Sequence, residues 1–264
     1  MKNTHLPSVW ARRLLLALTP LILVACSGPD LDDQQLVQTA KNYLAENKIR
    51  EAALELKNAL QDNPGNAEAR YLLGQINLDV GDMAGAEKEF RRALEGDWQG
   101  AQVQIGLARV LIDTGAYQQL LDEVEIKDSD PAGARADLYG LRAAAQAGLG
   151  NTDQARESLA AGAAIEANAL QLLKTDSQLK LVRGDAEAAI ATLQQALAVY
   201  PDNPELHLLH AIATAQSGDQ ATAMATYRRV LDQEPAGLMT IYGRKARLGL
   251  ARLQIFAKEL DQAQ

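Results

Sequence analysis

Residues 52–60 read Ala52-Ala53-Leu54-Glu55-Leu56-Lys57-Asn58-Ala59-Leu60, and 34 positions later Ala86-Glu87-Lys88-Glu89-Phe90-Arg91-Arg92-Ala93-Leu94 repeats the pattern in register. A small residue opens each string, a large apolar residue follows four positions on, and a second small residue comes near the end. The opening slot continues at Leu120, Ala155, Ala189 and Ala223, and the large slot at Val124, Leu159, Leu193 and Tyr227. The closing slot holds Ala59, Ala93, Gly162 and Ala196, but Lys127 and Val230 in units three and six. Upstream, another small slot carries Ala40, Gly74, Ala108, Ala143 and Ala211. Between the two segments of a unit stand Gly81-Asp82, Gly115-Ala116, Gly150-Asn151, Gly184-Asp185 and Gly218-Asp219, where a glycine ends one helix and an Asp or Asn side chain caps the next. Pro64, Pro201 and Pro235 fall where a helix must stop. Paired helices crossing at Ala or Gly bring their axes to the short end of the usual 8–10 Å separation, and a larger side chain at such a crossing overpacks it.

Self-similarity at this period marks the chain as similar to tetratricopeptide repeats, over roughly residues 33 to 263. The resemblance implies an all-α fold, a right-handed superhelix of about six helix-turn-helix repeats with a partial seventh. Composition agrees: 47% of residues are hydrophobic but only 4% aromatic, so Ala and Leu supply the apolar surface. Sandwiches and barrels lean on β-branched and aromatic residues and are disfavoured. One cysteine excludes a disulfide within the chain.

That cysteine has a context of its own. Residues 1–25 carry Lys2, Arg12, Arg13 and no acid, then an apolar run from Leu14 to Ala25 broken by Thr19 and Pro20. This is the charged and apolar pattern of a secretory signal, too short for a stable membrane span. Leu23-Val24-Ala25-Cys26 resembles a bacterial lipobox, which implies cleavage before Cys26, lipidation of its sulfur and a tether over residues 26–32. Ser27, rather than Asp, resembles lipoproteins sent to the outer membrane of Gram-negative bacteria. The expected location is therefore the cell envelope, on the periplasmic face of the outer membrane, with the lipid anchor as the membrane contact. Cleavage removes three of 26 basic residues and none of 34 acidic ones, leaving 23 against 34, a net of −11. So acidic a chain, with no basic stripe interleaved with aromatics, is not expected to bind nucleic acid.

The units are uneven. In unit three the second segment reads Ala116 to Ile126 and then Lys127-Asp128-Ser129-Asp130-Pro131, without the small packing residues, so a looser or shortened helix is expected in a degenerate stretch near 116–134, with a bend between units one to three and units four to six. Unit five places Ser177 and Lys180 at slots usually small or aromatic. After Pro235 the spacing breaks: residues 236–244 read as an insertion, Leu248 to Leu253 as another first helix, and its partner would start at Leu260. A sharper likeness lies in Lys57 to Gln61, Ala67-Glu68-Ala69-Arg70-Tyr71-Leu72-Leu73-Gly74, Gly81-Asp82 and Ala86 to Ala93. With the lipobox, these strings resemble the N-terminal part of the tetratricopeptide-repeat lipoproteins of the PEP-CTERM/exosortase system. That family usually runs several times longer. The resemblance implies a scaffold in exopolysaccharide biosynthesis and export or in PEP-CTERM surface-protein sorting, and it brings no enzymatic residue.

No glycine-rich phosphate loop, nucleophile elbow or zinc-type cysteine cluster is present in the sequence, and no enzyme activity, cofactor, metal or small-molecule substrate is expected. His207 and His210, with Glu205 close by, have helical i, i+3 spacing, but no third strong ligand accompanies them and His207 falls on a packing slot. A metal-dependent periplasmic hydrolase would rest on this pair alone. Asp122-Glu123-Val124-Glu125 lacks the alternating oxygen ligands and glycine of a calcium loop and reads as a solvated helix face. Function is expected instead on the concave face, where the register places Val37, Lys41 and Leu44; Tyr71, Gln75 and Leu78; Ile105, Arg109 and Ile112; Lys174 and Gln178; and Leu208 and Ile212. Apolar anchors with a few polar contacts suit an extended or helical peptide of a protein partner. The alternative role for a lipobox joined to a few such repeats is outer-membrane protein insertion or assembly of a pilus secretin.

Overall fold

Among the described residues twelve helices form six antiparallel pairs, and a thirteenth follows. In chain order they are α1 (Asp33–Ala45) with α2 (Ile49–Asp62), α3 (Ala67–Val80) with α4 (Met83–Leu94), α5 (Gly100–Asp113) with α6 (Tyr117–Glu123), α7 (Ala132–Gly148) with α8 (Thr152–Ile165), α9 (Leu170–Val182) with α10 (Ala186–Val199), α11 (Pro204–Gln216) with α12 (Gln220–Asp232), and α13 (Ile241–Ala263). The computed structural model describes residues 32–96, 98 and 100–263, with side chains as far as Ile255; Cys26, the signal segment and most of the tether lie outside the described residues.

Local chemistry sets the boundaries. Asp32 opens α1 with a capping box: its carboxylate accepts the Gln35 N–H at 2.8 Å and the Gln35 side chain accepts the Asp32 N–H. Asn66, Asp82, Asp185, Asn203 and Asp219 cap α3, α4, α10, α11 and α12 through their side-chain oxygens. Five of the six turns within pairs close on a left-handed glycine, as the Gly-Asp/Asn/Ala pattern predicts. In the first pair Asn47 adopts φ 57° instead, using the residue type that best tolerates this region after glycine.

Packing follows the 34-residue register. All six opening-slot residues, Ala52, Ala86, Leu120, Ala155, Ala189 and Ala223, are buried, as are Ala40, Ala108, Ala143, Ser177 and Ala211 in the first helices. Ser177 fits the small slot of α9 because its hydroxyl donates to the Lys174 carbonyl at 2.8 Å. Phe90 is fully buried and wedged between glycines: a Cβ added at Gly74 would lie 2.7 Å, and one at Gly106 2.6 Å, from its ring. At Gly140 the neighbour is main chain, with the Leu172 nitrogen 2.6 Å from where a Cβ would sit. Helices α7 and α9 therefore touch backbone to backbone.

The second helix of unit three is short. Helix α6 spans seven residues and gives way to extended backbone at Val124, whose side chain is still buried at the large slot. The C-terminal segment differs from expectation. The chain turns between Glu234 and Thr240, helix begins at Ile241, and α13 continues unbroken for 23 residues. Among the described residues no second helix starts at Leu260, which lies within α13. The physical reason is plain in the sequence: residues 248–260 contain no Pro, and their one glycine, Gly249, sits at a helix contact instead of a turn, so nothing stops the helix. Glu234 folds the connector, accepting the Thr240 N–H at 2.8 Å and the Thr240 hydroxyl.

The array then meets its own beginning. Arg244 of α13 donates to the Val80 carbonyl of α3 at 3.0 Å, and Arg50 of α2 donates to the Gly237 carbonyl in the last connector. Ala86→Leu should lower the free energy of unfolding by about 1–3 kcal/mol through overpacking. Ala164→Leu, on the exposed side of α8, should stay within about 0.5 kcal/mol in the same urea titration. Gly140→Ala should cost more than Gly74→Ala, because main chain has less room to move than the Phe90 ring.

Candidate functional site

The inward faces of the first helices meet along the superhelix axis, and there the structure places charge. Lys174 of α9, its side chain 6% exposed, pairs with Glu205 of α11 at 2.5 Å and donates to the Gln171 side chain at 2.9 Å. Arg109 of α5 lies 3.6 Å from the same carboxylate and donates to the Tyr242 hydroxyl of α13 at 2.9 Å, and Gln75 of α3 approaches it at 3.5 Å. Five helices thus contribute to one network whose members lie up to 133 residues apart along hydrogen-bonded pairs.

Its electrostatics follow from burial and pairing. Burial pushes the Glu205 carboxyl up, but the Lys174 ammonium and Arg109 guanidinium outweigh it and hold it below its usual range. Burial also pulls Lys174 below its normal value against the attraction of Glu205. Arg109 is held firmly charged: burial opposes this, but Tyr242, Glu205, Asp79 and Asp113 more than compensate. Tyr242 is pushed well above its normal value, first by burial and then by Glu205. Two carboxyls at the margin are raised to about 6 by burial, Asp79 and Asp137. Asp137 accepts the Gln171 N–H at 2.7 Å and so caps the first turn of α9 from the preceding pair.

The residues expected on a concave surface separate into groups. Val37, Leu78, Ile105 and Leu208 are buried in helix-pair cores, and Lys174 is buried in the network, so these five offer no contact surface. Helix packing, not an open groove, surrounds these five side chains. Tyr71 is half-buried, with ring centroids 5.0 Å from Trp98 and 6.1 Å from Phe90. Lys41 pairs with Glu68 across a hollow that also holds Gln38, Asn66 and Trp98. Ile112 and Gln178 border a second hollow, of about 380 Å³, with Tyr117 and Val182, the latter 85% exposed. Leu44 and Gln75 line a third cavity, of about 620 Å³, at the seam where the array meets itself. Ile212 is exposed on α11.

The histidine pair is explained by packing. His207 is buried and its ring Nε2 lies 2.8 Å from the Pro201 carbonyl; burial holds both His207 and His210 below the usual imidazole value. Glu205 belongs to Lys174 and Arg109. Among the described residues no group of three His, Cys, Asp or Glu side chains is arranged to hold a metal ion.

Residues 37–101 match the tetratricopeptide repeat family. The fold is the tetratricopeptide-repeat fold. Residues 112–236 match a second family, described as a bacterial transcriptional activator domain. PilW, a widely conserved type IV pilus biogenesis factor, is similar in structure with a TM-score of 0.50 and 17% identity, over 78% of this chain and 94% of that one. A monomeric mutant of IFIT1 is similar with a TM-score of 0.52 and 15% identity, over 85% of this chain and 56% of that one. A thermophilic tetratricopeptide-repeat protein from Thermus thermophilus has 20% identity over 84% of this chain and 99% of its own, with a TM-score of 0.46. No curated protein sequence matches the chain significantly. These likenesses concern the fold, which elsewhere presents protein-binding surfaces on stacked helix pairs.

Removing one partner of the axial network leaves buried charge uncompensated. Lys174→Ala should cost about 3 kcal/mol in urea unfolding, the low side for a buried pair because Glu205 keeps Arg109. Asp79 gives a pH signature. Its carboxyl titrates near 3.8 when exposed and near 6 in the fold, so the native state holds the extra proton between those values and stability falls as pH rises through that window. Asp79→Asn should therefore stabilise the protein at pH 8, by about 1 kcal/mol once solvent screening of this half-buried group is allowed for, and change little at pH 4.

Proposed function

We propose that this protein is a lipid-anchored scaffold of the bacterial cell envelope that holds protein partners together in exopolysaccharide export or PEP-CTERM surface-protein sorting. The observation that carries the scaffold reading is the array itself: six helix pairs surround an axis where Arg109, Lys174, Glu205 and Tyr242 pair with one another, while separate hollows remain open at the surface. An enzyme would need convergent reactive groups with a cavity beside them. Here Lys174, Glu205, Arg109 and Tyr242 pair with one another. The anchor rests on the lipobox at Cys26.

A second reading, pilus or secretin assembly, draws on the likeness to PilW over nearly all of that protein's chain. Both readings describe an adaptor and differ in the partner. A DNA-linked role, which the second family match would invite, is opposed by a net charge of −8 and by the absence of a basic stripe in the sequence.

Crosslinking in intact envelopes followed by mass spectrometry separates the readings. Recovery of polysaccharide-export or surface-sorting proteins supports the first, recovery of pilus or secretin subunits replaces it with the second, and recovery of neither removes the scaffold role. Cys26→Ser should move the protein from the detergent-rich to the aqueous phase on detergent partitioning. An unchanged distribution would refute the anchor.

A further inference from the structure

The seam cavity differs from the other hollows in which groups it leaves unpaired. One wall comes from the first units, with Leu44 and Ile49 beside Leu72, Ile76 and Val80 of α3; the other comes from the end of the array, with Val230, Pro235, Leu238 and Tyr242. Its volume of about 620 Å³ lies within the range of ligand sites. Three carboxylates line it, Asp79, Asp202 and Glu234, and no Lys, Arg or His does. Arg50 and Arg244 stand nearby but are committed to the Gly237 and Val80 carbonyls. Glu234 is satisfied by Thr240, and Asp202 lies 3.9 Å from Arg229 on the exposed side. Asp79 is different: among the described residues its carboxylate has neither a hydrogen-bond donor nor an ion-pair partner within reach. The side-chain oxygen of Gln233 is buried on the same cavity and likewise receives no hydrogen bond.

An apolar chamber with an unpaired carboxylate, unbalanced negative charge and no cation among its lining residues selects what it lacks: an aliphatic stem ending in a cation. We propose that the seam cavity is a binding site for a partner polypeptide, taking a lysine or arginine side chain flanked by apolar residues, with the cation on Asp79 and the apolar neighbours between Ile76 and Leu238. This rests on the scaffold reading and names the chemistry of its partner. Because the chamber lies between α3 and the α12–α13 connector, an occupant also bridges the two ends of the array. Burial lifts the Asp79 carboxyl to about 6, outweighing the attraction of Arg109 and Lys174, neither of which forms an ion pair with it.

The test uses the full chain in detergent micelles and three fluorescein-labelled peptides, Ser-Leu-Lys-Leu-Ser and its analogues with norleucine or glutamate in place of lysine, followed by anisotropy. The lysine peptide should bind, the norleucine analogue at least about tenfold more weakly, and the glutamate analogue not measurably. Asp79→Asn should weaken the lysine peptide by at least about tenfold while the protein stays folded, and Leu238→Trp, which fills the chamber, should abolish binding. Failure of the lysine peptide to bind, equal binding of lysine and norleucine peptides, or indifference to both substitutions would overturn the proposal. If the peptides fail but envelope crosslinks persist, the seam site falls and the scaffold stands; if the crosslinks are absent too, the scaffold falls with it.

Discussion

Close approach of helix axes at small residues is the constraint from which the rest of this structure follows. Ala52, Ala86, Ala155, Ala189 and Ala223 are fully buried at one crossing in five of the six pairs, and Gly140 brings α7 against the main chain of α9. Thin crossings let successive pairs stack tightly. A tightly wound superhelix has a narrow axis, and inward side chains from α3, α5, α9, α11 and α13 must meet there. What would be an open groove in a wider coil becomes an interior, and the polar side chains that reach it must satisfy one another. The axial network of Gln75, Arg109, Lys174, Glu205 and Tyr242 is how they do so.

The fold was legible because its determinants are local and periodic. A slot occupied at steps of 34 or 35 residues needs no knowledge of long-range structure to be recognised, and Gly-Asp pairs mark the turns by their own chemistry. Two local features escaped. Asn47 carries out in the first pair what glycine does in the others, and Asn in that role is recognisable only once the turn is located. The continuity of α13 was obscured by extending the period past the point where its stop signals cease. With no proline after Pro235, and with Gly249 serving a contact against Tyr227, the helix had no reason to end at a pair boundary.

The site was less legible, because register reports which way a side chain points and not how far away the opposite wall stands. Arg109 and Lys174 read as groove contacts, since pitch and radius are set by many crossings acting together. Glu205 read as a neighbour of two histidines. Yet one signal was present: Lys174 occupies the slot held elsewhere by Tyr71, Ile105 and Leu208, and a cation in an aromatic or aliphatic slot requires a buried acid nearby. The partner could not be named from spacing alone, because Glu205 lies on a different helix and Tyr242 beyond the last full unit.

Closure of the array on itself alters how its energetics should be understood. An open solenoid is held by neighbour contacts alone, so its ends can fray independently. Here Arg244 reaches Val80 and Arg50 reaches Gly237, joining residues 164 and 187 positions apart. The last helix cannot leave without releasing carbonyls on α3 and the Tyr242 contact to Arg109. Buried ion pairs commonly add little net stability over well-packed apolar groups, because desolvation offsets their attraction. What the axial pairs add is selection: Lys174 accepts an acid from α11, and Arg109 finds the Tyr242 hydroxyl only when α13 has come round to meet it. Apolar residues on the axis would tolerate several degrees of winding, whereas these charges are satisfied in one. Small residues at the crossings allow the tight coil, and the axial charges fix where it closes.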